Sequence, residues 1–465
     1  MSQPISINER LCDWRAEVRF ADLPDDIVEQ TKLRILDVIG LSLMARDTDV
    51  GASLLNGSRT LGGPEEASIL GDALRVSAAT AALANGAMAE VIEFDDTHNE
   101  SIVHVGAATV SAALAMAEAE DANGEDLLLA VATGSEAVCR LGIIAPGAMH
   151  RRGYHPTGIF CPFGAALAAG GLMRMSRDAM VSALGIAGSQ AAGLLECWVD
   201  GSWAKVMHPG WAAHSAIVAL RLARAGFTGP ARIFEGNSGL FASHVQDPAI
   251  SLDYARAVTG LGHVWESRDI SFKPYPSAHV IHGLIEAALM LAPDMQADQI
   301  ERVACSVAPH WVPIVCEPVE EKRRPANSAL ARISLPHTIA EALVTGRLDA
   351  TSYSPAMLAN PLVRSIADRV EHVVRGDWTD RAAFPGEIGV TLKDGRIVTH
   401  GIAANLGGAA RPLDRDAMLA KFRTNAGTVL PPDQVEAVID LVGALPSGSA
   451  RALAGACVIG EKKWN

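Results

Sequence analysis

This 465-residue sequence has no basic block, no paired cysteines and few aromatic rings. With a net charge of −14 and no extended block of Lys and Arg, nucleic acid and anionic membrane surfaces are not expected partners. The seven cysteines, at positions 12, 139, 161, 197, 305, 316 and 457, are scattered, odd in number and without a C-x-x-C pair. That pattern predicts reduced thiols and argues against a disulfide frame or a zinc site. Aromatics make up only 5% of a chain that is 49% hydrophobic, so the apolar content is largely Ala, Leu, Val and Ile, which suits close helix packing better than a sheet sandwich. There is no G-x-G-x-x-G after a strand, no G-x-x-x-x-G-K-[ST], no H-E-x-x-H and no G-x-S-x-G. Their absence argues against nucleotide cofactors, zincin metals and serine hydrolysis. His98 and His104 are six residues apart, not a helical i, i+4 pair, so no metal site is expected there. The uncharged run 153–173 is broken by Pro156, Pro162 and several glycines, which makes it a buried segment and a poor membrane span. The first ten residues lack a basic region followed by an apolar core, so a cytoplasmic location is expected.

What the chain does have is one dense polar stretch. Residues 93–104 hold four carboxylates (Glu93, Asp95, Asp96, Glu100), His98 and His104, Thr97 and Ser101. Alanine-rich apolar runs lie on both sides, 77–91 and 105–117, the second with Val110, Leu114 and Ala117 at helical spacing. A polar loop between two apolar helices either satisfies free N–H groups as a cap or does chemistry.

Three further segments bear on that choice. Arg151-Arg152-Gly153-Tyr154-His155-Pro156 is a cationic turn feeding an apolar helix, a good place for an anion. Residues 201–211 set Lys205 and His208 among bulky apolar neighbours, where desolvation is expected to lower the lysine pKa and make it a base. Residues 273–282, stiffened by Pro274 and Pro276, offer Lys273, His279 and His282 at a change of architecture. Together these groups suit a small anionic substrate and proton transfer at a carbon next to a carboxylate, with cations stabilising the enolate charge.

The pattern predicts a mainly α fold with an α+β part. Pro24-Asp25-Asp26 opens a helix over 24–46, Asn123 starts another that ends at Pro146-Gly147, Ser176 caps a third, and a fourth runs from Ala212 to Ala225, while 47–75 reads as turn-rich. From 268 the signal changes: Val303, Cys305 and Val307 alternate, Val370, Val373 and Val374 are β-branched, and Lys393-Asp394-Gly395 joins two strand-like runs as a hairpin. Helical stretches at 338–345 and 355–367 sit among them. The expected organisation is a large all-helical domain from residues 1–267 and 405–465 and a smaller inserted α+β lid domain over 268–404.

In this order, residues 93–104, 153–166, 184–195, 205–213, 225–241, 273–282 and 334–348 resemble the MmgE/PrpD family, which includes 2-methylcitrate dehydratase, cis-aconitate decarboxylase and iminodisuccinate epimerase. The resemblance implies a homodimer, a cleft between the domains, and no metal or organic cofactor. Family active-site positions match Glu93, Thr97, His104, His155, Lys205 and Lys273. Glu93 stands where an aspartate is usual, His337 where a tyrosine is usual, and Ala278-His279 replaces a more usual pair. With those changes the chain looks most like an epimerase of a small dicarboxylate of the iminodisuccinate kind; the alternatives are a hydro-lyase of the 2-methylcitrate type and a catalytically silent binding protein. In the epimerase reading His104 and Lys205 carry protons, and Lys273, His155 and Arg152 stabilise the carboxylate or enolate. Thr97 and His279 orient the substrate, Glu93 and Asp95 hold the histidines, and Tyr154 and His337 complete the substrate contacts.

Overall fold

A computed structural model of the chain describes residues 5–459. The central stretch is held inside a stack of helices: α1 (Asp25–Ala45), α2 (Ala78–Glu90), α3 (Gly106–Ala119), α4 (Pro156–Leu172) and α5 (Ala204–Arg224). α2 and α3 are buried on every side, as alanine-rich helices with almost no charge must be. α2 and α5 cross at a pair of glycines. A Cβ on Gly86 would lie 2.9 Å from the Gly210 Cα, and one on Gly210 would lie 2.2 Å from the Leu83 carbonyl oxygen. That crossing sets the end of α2 beside the start of α5, so Glu90 comes opposite Lys205.

Two helices carry internal prolines. Pro162 in α4 cannot donate to the carbonyl of Gly158; Ala192 N–H donates to it instead, at 3.2 Å. α5 begins at Ala204 and runs through Pro209, eight residues earlier than the sequence pattern suggests. Two further differences have plain causes. Residues 49–61 form a helix capped by Thr48, whose hydroxyl accepts from Gly51 N–H at 3.1 Å; Gly51, Asn56 and Gly57 are poor helix formers and hid it. The stretch 355–367 is two helices, Pro355–Ala359 and Pro361–Ala367, because Pro361 breaks the ladder at Asn360.

Within the central stretch β1 (Thr97–His98) pairs antiparallel with β2 (Ile270–Ser271). The α+β part is built on a four-stranded sheet of β3 (Ile300–Val307), β4 (Val370–Val374), β5 (Gly386–Leu392) and β6 (Ile397–Ile402), in the order β4-β3-β5-β6. Only β3–β4 is parallel, and β5–β6 is the hairpin at Asp394-Gly395. α6 (His282–Leu291) packs on the sheet through Leu284, Ile285, Ala288 and Leu291. One hydrophobic cluster gathers residues from the N-terminal helices together with α7 (Arg415–Ala426) and the chain end; a second gathers mainly residues 278–392. Among the described residues no helix is long and apolar enough to cross a membrane.

Candidate active site

The loop between α2 and α3 is pinned from every direction. Asp96 does what the capping reading expects: its Oδ1 accepts from the N–H groups of Val105 and Gly106, at 3.1 and 2.7 Å, and so closes the start of α3. Its Oδ2 accepts from Arg34 Nε of α1 at 2.8 Å in a fully buried ion pair. Lys421 of α7 donates to the Phe94 carbonyl at 2.9 Å, and Thr157 Oγ1 accepts from His104 N–H at 3.0 Å. Glu100 holds Arg256 through two bonds of 2.6 and 2.9 Å.

The remaining acids of the loop face a cluster of bases. Glu93 has a left-handed backbone, φ +55°, which a non-glycine residue adopts at some cost. Its carboxylate bridges two ammonium groups, with Oε2 2.7 Å from Lys205 Nζ and Oε1 3.2 Å from Lys273 Nζ. Lys205 also donates to Glu90. Lys205 sits in the first turn of α5, where the helix dipole disfavours a cation. Burial alone would lower its pKa, but Glu90, Glu93 and Asp95 outweigh that and raise it above the ordinary lysine value. Lys205 is therefore an ammonium, which corrects the expectation of a lysine base. Glu93 is buried, which disfavours its charge, yet the two lysines and His104 hold its carboxyl well below the usual range. Asp95 goes the other way: burial first and then the Glu90 charge push it well above the carboxylate range. It is therefore held as a neutral carboxylic acid among charged neighbours.

His104 lies against these acids. Its Nδ1 is 3.1 Å from the Asp96 carbonyl oxygen, an acceptor only, so Nδ1 carries the proton. Thr97 Oγ1 stands 3.3 Å and Asp95 Oδ2 3.4 Å from the same nitrogen. Nε2 is then a lone pair, 3.7 Å from Glu93 Oε1 and 3.9 Å from Glu90 Oε1. Burial lowers the His104 pKa to about 4, with Lys273 and Lys205 adding to burial and Glu90 opposing it. At neutral pH it is an unprotonated base held beside an ammonium acid. Behind it stand His155, which precedes the first turn of α4, and His208, with their Nδ1 atoms 2.9 Å apart. Burial holds both pKa values down, so one ring donates and the other accepts.

Of the residues expected from sequence, the structure thus brings Glu93, Asp95, Thr97, His104, His155, Lys205 and Lys273 together. His279 lies one layer out, bonded to Asn405 at 3.0 Å and packed on His282. The other three expected substrate contacts lie elsewhere. Arg152 is exposed at the end of a short turn of helix, and Tyr154 packs against His244 with ring centres 4.9 Å apart. His337 is buried against Glu341, at 3.3 Å, beside Tyr353. Three groups the sequence reading passed over belong to the site or its frame: Glu90, Arg332 and Lys421. Glu90 had a signal, being the one charged residue of α2 and one helical turn before Glu93.

Glu90, Glu93 and Lys205 form one wall of a cavity of about 340 Å³, closed by Trp198, Trp203 and Arg332. That is the lower end of the range for small-ligand sites, roughly 300–1,000 Å³. Glu90, His104 and His155 place ligand atoms within 4.8 Å of one another and could surround a metal ion, although Lys205 already neutralises the Glu90 carboxylate.

Residues 9–253 match the MmgE/PrpD N-terminal domain and residues 275–445 the MmgE/PrpD C-terminal domain. The chain is 26% identical to a cis-aconitate decarboxylase of Aspergillus terreus, over 94% of this chain and 92% of that protein. It is 27% identical to the cis-aconitate decarboxylases of Mus musculus and Homo sapiens, again over 94% of this chain and over 90% and 91% of theirs. With both domains matched over most of its length, the chain belongs to the MmgE/PrpD family of enzymes.

Proposed function

We propose that this protein is a lyase acting on a small polycarboxylate, expelling carbon dioxide or water from a carbon next to a carboxylate. The observation that carries the reading is that the His104 Nε2 lone pair stands 3.9 and 3.7 Å from Glu90 and Glu93, the two carboxylates that hold the Lys205 ammonium and line a small cavity with it. The bridge that Glu93 makes between Lys205 and Lys273 is an internal copy of what a substrate carboxylate would do. A substrate carboxylate in that place sets its neighbouring carbon within reach of His104 and Lys205. For loss of water, His104 takes the proton from that carbon, and Lys205 gives one to the departing hydroxyl. For loss of carbon dioxide from an unsaturated acid, the C–C bonding pair moves into the conjugated carboxylate system, and Lys205 supplies the proton that the new C–H bond needs.

The relatives named as cis-aconitate decarboxylases support a lyase, and none of those reported carries an epimerase name. The hydro-lyase alternative therefore stands closer to them than the iminodisuccinate epimerase reading. The test is to incubate the purified protein with cis-aconitate, 2-methylcitrate and iminodisuccinate and to identify products by NMR. A decarboxylated or dehydrated product is expected. Inversion of iminodisuccinate without any elimination would overturn the lyase reading.

A further inference from the structure

We propose that Arg332 is the anchor for a second carboxylate of the substrate, an inference that rests on the polycarboxylate reading above. A polycarboxylate needs more than one cationic contact, and the lysine pair serves one carboxylate only. Among the described residues, every other strongly buried arginine already has a carboxylate: Arg34 has Asp96, Arg46 has Asp47 and Asp72, and Arg140 has Glu136. Arg332 has none within ion-pair distance; Glu93 and Glu341 act on it only through space. It is 8% exposed and lines the same cavity as Glu93 and Lys205.

A guanidinium stays charged when buried, and a buried charge without a counter-ion is costly. Here only one nitrogen is engaged in hydrogen bonds: Nη1 donates to the carbonyls of Ile92, at 3.1 Å, and Pro276, at 3.0 Å. The group also lies over the Tyr353 ring, 4.9 Å from its centre. These contacts fix the guanidinium plane beside the Glu93 turn and leave Nε and Nη2 without an acceptor in the structure. The indole N–H of Trp198, another cavity residue, likewise has no acceptor. A planar cation held rigid, with donors unused and a small cavity before it, is suited to a carboxylate.

The test uses non-reacting probes and the full-length protein. Propane-1,2,3-tricarboxylate is titrated by calorimetry against wild type, Arg332→Gln and Arg332→Lys. Glutarate and methylsuccinate, which lack its central and one terminal carboxylate, are titrated alongside. In the wild type the tricarboxylate is expected to bind at least about tenfold tighter than the weaker dicarboxylate. In Arg332→Gln that advantage should fall to about twofold or less, and Arg332→Lys should keep part of it. A residue that only pins Ile92 and Pro276 together, or that only receives a displaced Glu93, would weaken all three probes alike, and that result overturns the proposal. If Arg332→Gln does not fold, an unchanged tricarboxylate advantage in Arg332→Lys overturns it equally. No binding of any probe by the wild type would overturn the polycarboxylate reading itself, and this assignment with it.

Discussion

Replacing Lys205 by methionine should change the protonation of a residue it does not bond. His104 is a free base because it is buried and because Lys205 and Lys273 offset the pull of Glu90 and Glu93. Methionine keeps the length and apolar stem of the lysine and removes only its charge. The Glu90 attraction across 3.9 Å stays, and what is lost is the repulsion between the Lys205 ammonium and a protonated His104, which meet the same Glu90 oxygen and so stand within about 6 Å of each other. At an effective dielectric of about 20, a unit charge pair at that distance is worth about 3 kcal/mol, or about two pKa units. The His104 pKa is therefore expected to climb from about 4 towards about 6 in Lys205→Met. Histidine ring resonances followed by NMR between pH 3 and 9 read this directly, with His104→Gln identifying the signal. Activity, if any remains, should show an acidic limb displaced upward, since the base is lost once the ring is protonated. A His104 that still titrates near 4 in the variant would refute the reasoning, because Glu90 or Glu93 would then be taking up the proton.

Three further outcomes follow from the same structure. Burial lowers His98, His104 and His208 to about 4 and His150 and His282 to about 3, from an ordinary value of 6.5. The unfolded chain therefore binds more protons below pH 6.5, and stability should fall as pH drops from 6.5 towards 4, by at most about 1.4 kcal/mol per unit for each ring; denaturant midpoints across that window check it. Asp96→Ala leaves Arg34 charged and buried and uncaps α3, which should cost about 3–5 kcal/mol for the broken pair and about 1 kcal/mol for the cap, measured as a loss in urea unfolding. Gly210→Ala forces a methyl to within 2.2 Å of the Leu83 carbonyl and should cost about 1–3 kcal/mol or more, and weaken turnover by moving Lys205 away from Glu90.

Most of the fold could be read from local pattern. The strands at 300–307 and 386–402 announce themselves by alternation and an Asp-Gly turn, and Ser176 caps its helix as its sequence position suggests. The elements that were misread are those where tertiary contacts overrule propensity: a glycine-containing helix at 49–61 and a proline inside α5. In the site, the polar stretch gave its members away by composition alone. The charge state of Lys205 did not, because its immediate neighbours are apolar and the acids that raise it lie 112 and 115 residues away. Arg332 was hidden for the same reason: its contacts are to residues 56 and 240 positions distant. Desolvation is a local property that sequence can suggest, whereas charge pairing in a folded cluster is a long-range one.

The central claim is that His104 and Lys205 move a proton at a substrate carbon. It is tested most directly by turnover of 2-methylcitrate in heavy water, with deuterium located in product and recovered substrate by NMR, for wild type and a folded His104→Gln. The account predicts deuterium at the carbon next to a carboxylate in the wild type and a rate at least about a hundredfold lower in the variant. Equal incorporation by both proteins would contradict it.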